Sequence, residues 1–352
     1  ILLQLNGKKK QAVHIYEELY KLNPADEQLT AQMVDLYREL GDLEEALILI
    51  NEMLASSKKE SPGIEMQKAI ILWELKKFEE AAELLVSLSN RHPESDRLKY
   101  MAAVSLERKK NYKKSIKSYE LINPNSTFYY RAMFRIVIIH SSQKEYKKAI
   151  KAGRDLVELP ESDWESWRLL GGIYADEERF AEAVEVFSEG LKKYPKAHRL
   201  RFLKGVYQEK AKDIPGCIKT MRLVIENDPA NSSAYNYLGY LFAERGENLD
   251  EAEKLIKKAL ELKPNDGFYL DSLGWVYYQM GKPKKAQPFF EKALKVEPKE
   301  GVIMEHLADV IRKIGNLKKA KKVYLEALKV KISAQDRKRV EGKIEEIKTK
   351  GK

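Results

Sequence analysis

Residues 267–300 read GFYLDSLGWVYYQMGKPKKAQPFFEKALKVEPKE. Apolar side chains recur three and four residues apart through Leu270, Leu273, Gly274 and Tyr277, and again through Ala286, Phe290 and Ala293. That is the period of a helix with one apolar stripe, present in two successive segments. Gly281 falls between the segments, where freedom to take a positive φ ends a helix. Pro298 follows the second segment, which it cannot continue. Small groups at Gly274 and Ala286 let two helix backbones approach, and Phe290 fills the space that is left. Such a pair cannot bury its apolar face alone and must stack on another.

The rest of the chain supplies the others. Trp167, Leu170, Gly171, Tyr174, Ala183, Phe187 and Pro195 keep the same spacing, as do Leu307, Ala308, Ile311, Ala320, Tyr324 and Ala327. Tyr235, Leu238, Gly239 and Phe242 keep it too, with Ala252, Ile256 and Pro264 one residue late. The period is 34 residues, with one copy of 35. These positions resemble the tetratricopeptide repeat (TPR) family, whose signature is a large-x2-Leu-Gly-x2-Tyr helix followed by Ala-x3-Phe and a closing Pro. The resemblance implies an all-α fold: a right-handed α-solenoid superhelix of about nine and a half helix pairs plus a C-terminal capping helix. In that register the complete copies are 27–60, 62–95, 96–129, 130–163, 164–197, 198–231, 232–266, 267–300 and 301–334. Residues 1–26 read as the second helix of a truncated copy, with Ala12, Tyr16 and Pro24 in its slots and more protein expected upstream. Residues 335–352 read as a capping helix and tail, with Val340, Ile344 and Ile347 on one side. Pro124 closes its copy early, which marks 123–129 as a bend or loosened joint, and Pro288 predicts a kink rather than a break.

Composition excludes several classes. With 43% hydrophobic and 34% charged residues, the chain is too apolar for disorder and too charged for a membrane protein. The net charge of +10 comes from 64 basic and 54 acidic residues interleaved at helical spacing, as in Glu251 to Lys258. That describes a solvated helical surface, so nucleic-acid binding and membrane insertion are disfavoured. One cysteine, Cys217, excludes an intrachain disulfide framework, and it fills a slot where other copies place Ala. The five histidines show no metal spacing, and no phosphate loop or nucleophile elbow occurs. No metal, cofactor, catalytic residue or small-molecule substrate is expected, and the reading is non-enzymatic.

The resemblance implies that positions 2, 5, 9, 12 and 13 of each copy face a concave groove. There stand Asn236 and Tyr240 in copy 232–266, and Phe268, Asp271, Trp275 and Tyr278 in copy 267–300. Phe134 and Phe202 occupy position 5 of earlier copies. Aromatic anchors beside Asn and Asp suit a peptide: the rings give contact area at low entropy cost, and an amide pairs with both groups of an extended backbone. The alternative is that Trp275 and Tyr240 only pack against the neighbouring first helix. The Lys/Asn/Arg set with which some family members hold a terminal carboxylate does not occur in consecutive copies.

The function expected is a protein–protein interaction scaffold or adaptor that binds a partner protein or peptide in the groove. The alternative is the regulatory or substrate-recruiting region of a larger enzyme. Copies 232–334 look like the C-terminal repeats of bacterial TPR proteins, many of them exported. The expectation is therefore a bacterial chain in envelope complex assembly, periplasmic or outer-membrane-associated rather than cytoplasmic.

Overall fold

The computed structural model describes residues 9–23, 26–56 and 61–350. Among the described residues are twenty α-helices and no strand. Helix α1 (Lys9–Leu22) precedes nine pairs. The first four are α2 (Glu27–Leu40) with α3 (Leu43–Ser56), α4 (Pro62–Glu74) with α5 (Phe78–Arg91), α6 (Asp96–Arg108) with α7 (Tyr112–Glu120), and α8 (Tyr129–Ser142) with α9 (Tyr146–Val157). Then come α10 (Trp164–Asp176) with α11 (Phe180–Lys193), α12 (His198–Lys210) with α13 (Ile214–Asn227), and α14 (Ser232–Arg245) with α15 (Leu249–Leu262). The last are α16 (Gly267–Gln279) with α17 (Pro283–Val296) and α18 (Gly301–Ile314) with α19 (Leu317–Ala327). Helix α20 (Ala334–Lys350) follows. The chain packs as two units, residues 1–173 and 174–352. Pro24 and residues 57–60, at two expected copy ends, lie outside the described residues.

Each second helix holds a small residue at full burial. Ala46, Ala81, Ala149, Ala183, Ala252, Ala286 and Ala320 have no exposed surface, and Ser115 and Cys217 fill the same slot. Ser115 remains satisfied there because its hydroxyl donates to the Ala103 carbonyl at 2.8 Å. Burial pushes the Cys217 thiol up to about 12, so it stays protonated and inert at neutral pH. The first helix answers with its own small residue. A Cβ on Gly239 would come within 2.6 Å of Ile256 and 3.1 Å of the Ala252 carbonyl, and one on Gly274 within 2.9 Å of the Phe290 ring. Backbone proximity, not flexibility, therefore selects glycine at these two positions.

The turn between paired helices has one backbone solution. Gly41, Lys76, Lys110, Lys144, Glu178, Lys212, Gly246, Gly281 and Gly315 all take positive φ, and five of them carry a side chain there. The compensation is a bond from the next residue's N–H to the carbonyl five residues back, as in Lys77 to Leu72 and Asp213 to Gln208, both 2.8 Å. That bond satisfies a carbonyl the helix end leaves free, which offsets a conformational cost of about 1 kcal/mol for a residue with a Cβ. Asn248 adds a second left-handed residue in the turn before α15 and takes up the extra residue of the 35-residue copy.

Two local expectations meet their outcome here. Helix α17 runs unbroken through Pro288. In the stretch 123–129, expected to bend or loosen, residues 123–125 are exposed, while Phe128 lies 5.4 Å from the Tyr100 ring, itself 5.6 Å from Tyr119. The rings fill the space that the shortened α7 leaves open.

A candidate partner-binding groove

The candidate residues of the C-terminal unit lie on four first helices. On α14, Asn236, Tyr240 and Glu244 are spaced one turn apart and share a stripe. Helix α16 carries Asp271, Trp275 and Tyr278; α18 carries Glu305, Asp309 and Arg312; α12 carries Phe202 and Glu209. Side-chain caps set the start of the central pair: Asn231 accepts from the Ala234 N–H, and Asp266 from those of Phe268 and Tyr269.

Trp275 is the middle of a ring stack, with Tyr278 at 5.0 Å and His306 at 4.4 Å, both nearly parallel to it. Phe202 meets Tyr237 edge-on at 5.8 Å, and Tyr237 donates to Glu209. Phe268 is half exposed at 51%, free of the core. Phe134 belongs to the other unit, where it lies 6.1 Å from Tyr130. Of six buried side-chain polar atoms without a hydrogen-bond partner among the described residues, two lie here: Asn236 Oδ1, an acceptor, and Trp275 Nε1, a donor. Each such orphan costs about 1–3 kcal/mol, which a ligand carrying both kinds of group would recover.

Asp271 does not face a ligand freely. It is 7% exposed and bonds His306 Nδ1 at 2.9 Å. Burial alone would push the His306 pKa down, but Asp271, with Asp309 and Glu305 behind it, raises it above 6.5. A raised folded-state value means this contribution to stability is full below pH 6.5 and is lost as pH rises through the folded value. Denaturation midpoints across that window should fall for the native chain and lose this fall in His306→Gln.

The C-terminal helix contributes a network that positional register alone did not reveal. Glu305 and Asp309 are buried at 1% and 4% exposure. Arg339 grips Glu305 with two bonds at 2.7 and 2.6 Å, and Lys343 reaches Glu305 at 2.7 Å and Asp309 at 2.6 Å. Burial would raise the Glu305 pKa, but these bonds outweigh it and hold the carboxyl below its ordinary range. Tyr324 donates to Asp309 from below. Below this network Val340, Ile344 and Ile347 join the core cluster of Leu307, Ile311 and Tyr324, whereas Leu325 stays 43% exposed. The signal for the network was present in the sequence as two acids and two bases, each pair four residues apart.

Tyr240 lies toward this network. Burial raises its phenol pKa first, then the charges of Glu244 and Asp271, with Arg339 pulling the other way. In the N-terminal unit a separate apolar cleft of about 220 Å³ opens between α4 and α6, lined by Ile70, Trp73, Tyr100 and Val104. Its walls come from copies 62–95 and 96–129, which supplied none of the candidate groove residues.

Tetratricopeptide repeat family models match residues 231–299, residues 134–198, 170–216 and 272–337, and residues 3–106. A TPR repeat-containing protein of Pseudomonas aeruginosa is 27% identical over 183 residues, covering 52% of this chain and 31% of that one. The human signal recognition particle subunit SRP72 is 26% identical over 206 residues, covering 55% and 30%. The chain thus spans about a third of the length of the curated relatives it matches. Among solved structures, the C-terminal part of a TPR repeat-containing protein from Cytophaga hutchinsonii aligns with TM-score 0.57 at 16% identity, over 69% of this chain and 98% of that one. Yeast Tom70 aligns with TM-score 0.52 at 13% identity, over 99% and 87%. Likeness at these identities speaks to fold alone. Family models covering most of the sequence, on a fold whose described residues form nine helix pairs, place this chain in the tetratricopeptide repeat family.

Proposed function

We propose that the chain is a non-catalytic scaffold that holds a segment of a partner protein against α14 and α16, in bacterial envelope complex assembly. TPR arrays are in general protein–protein interaction scaffolds. The observation that carries the present reading is the pairing of aromatic surface with unmatched polar atoms: Tyr240, Trp275, Tyr278 and exposed Phe268 beside the orphaned Asn236 Oδ1 and Trp275 Nε1. Polar side chains of a partner can supply a donor to the one and an acceptor to the other. A second reading is a regulatory or substrate-recruiting region within a larger enzyme; the chain covers about a third of the length of its curated relatives, which are themselves longer proteins.

Phe268→Ala tests the site without disturbing the core. Half exposed, Phe268 should change stability by no more than about 0.5 kcal/mol. As a central anchor it should cost about 2 kcal/mol in binding. Proteins captured from a bacterial lysate by the immobilised chain are compared with those captured by Phe268→Ala and Tyr240→Ala, each melted in parallel. Capture that survives both substitutions refutes the site.

A further inference from the structure

Helix α20 shows what the acids along the first helices accept. Its Arg339 and Lys343, one turn apart, sit on Glu305 and Asp309, which are likewise one turn apart on α18. Two first helices earlier, around α14, the groove is again acidic but lacks such a cover among the described residues. Glu244 lies one turn from Tyr240 on α14, Glu209 of α12 takes the hydroxyl of Tyr237 on the same helix, and both carboxylates, with Asp271, raise the Tyr240 phenol pKa while Arg339 lowers it. Arg339 is already committed to Glu305 and Asp336, and Asp271 to His306. The cations nearest in sequence are committed too: Arg245 pairs with Glu247, and Lys210 lies over the Phe180 and Tyr207 rings. Among the described residues the Glu209 carboxylate accepts only from the Tyr237 hydroxyl, and Glu244 is exposed. Beside them Asn236 Oδ1 is a buried acceptor with no donor.

The geometry points to a basic partner: we infer that the groove around Tyr240 receives a helical segment of another protein carrying arginine or lysine four residues apart, laid beside α20 and continuing its pattern. This rests on the groove reading above and adds the partner's chemistry to it. A guanidinium there would stack on the Tyr240 face, pair with Glu244 and Glu209, and donate to Asn236 Oδ1. The acids would also steer such a partner toward the groove and away from the lysine-rich remainder of the surface.

The probe is a fluorescein-labelled alanine-based helical peptide with two arginines four residues apart, compared with the same peptide carrying glutamine or glutamate. Fluorescence anisotropy on the whole chain should show the arginine peptide binding about tenfold tighter than the glutamine one, with the glutamate peptide weakest. Glu209→Gln with Glu244→Gln should erase that preference while leaving the melt unchanged, since glutamine can still accept from Tyr237. Tyr240→Ala should weaken the arginine peptide as well. Equal binding of all three peptides, or an undiminished preference in the double variant, overturns the inference. Self-association that the arginine peptide disrupts also overturns it, by making a second copy of this chain the occupant. The Phe268→Ala capture experiment judges the groove itself and does not depend on peptide charge.

Discussion

Arg339→Ala combined with Lys343→Ala is expected to destabilise the C-terminal unit by about 3 kcal/mol, because it leaves Glu305 buried without a counter-charge and Asp309 with only Arg312 at 3.8 Å. Glu305 and Asp309 keep almost no solvent contact, so water cannot replace the lost cations unless α20 moves away. Its removal would uncover the surface under Val340, Ile344 and Ile347. For a unit of this size the loss corresponds to roughly 6–12 °C in melting temperature. The control is to add Glu305→Gln and Asp309→Asn to the double variant. With no buried charge left, much of the stability should return; if it does not, the packing of α20 and not its charge holds the end of the array.

Phe290→Ala is expected to cost about 3–5 kcal/mol, the range for removing a fully buried aromatic ring. Phe290 has no exposed surface, lies against Gly274 and is 5.8 Å from the His306 ring. The cavity would open directly beneath the stack of His306 on Trp275, so partner binding should fall together with the melt. Gly274→Ala supplies an internal check. In the native chain its Cβ would press on the Phe290 ring and destabilise the pair. In the Phe290→Ala background the same methyl enters empty space, and the two substitutions together should cost less than their sum. Strict additivity, measured by chemical denaturation, would mean that the helices relax apart and that the close approach is not binding.

The helical fold was legible because packing repeats itself. The buried alanine slot, the small residue opposite it and the ring beside them are residue-type requirements, and they recur every 34 residues. The turn was only half legible. Gly41, Gly246, Gly281 and Gly315 announce a left-handed residue, but Lys76, Lys110, Lys144, Glu178 and Lys212 take the same conformation without any sign in their chemistry. There a carbonyl bond, not the residue, decides the backbone. In the groove, register indicates which face a side chain takes but not what stands opposite. Asp271 therefore read as a group aimed at a peptide, whereas the structure pairs it with His306, 35 residues further on. Arg339 and Lys343 belonged to a segment read as a capping helix with Val340, Ile344 and Ile347 on its packed side, and their ion pairs stayed hidden because no periodicity links a cap to the copy beneath it.

The ion pairs of α20 also give the array a reading direction. Position 5 holds Tyr100, Phe134, Arg168, Phe202 and Asn236 in five earlier copies, and turns acidic only at Asp271 and Glu305. A duplication or shuffling of copies would conserve every apolar contact of the repeat, yet would seat the cap's Arg339 and Lys343 on a ring or another cation. The buried charges act as a serial number for copy 301–334, marking it out in electrostatics rather than in shape.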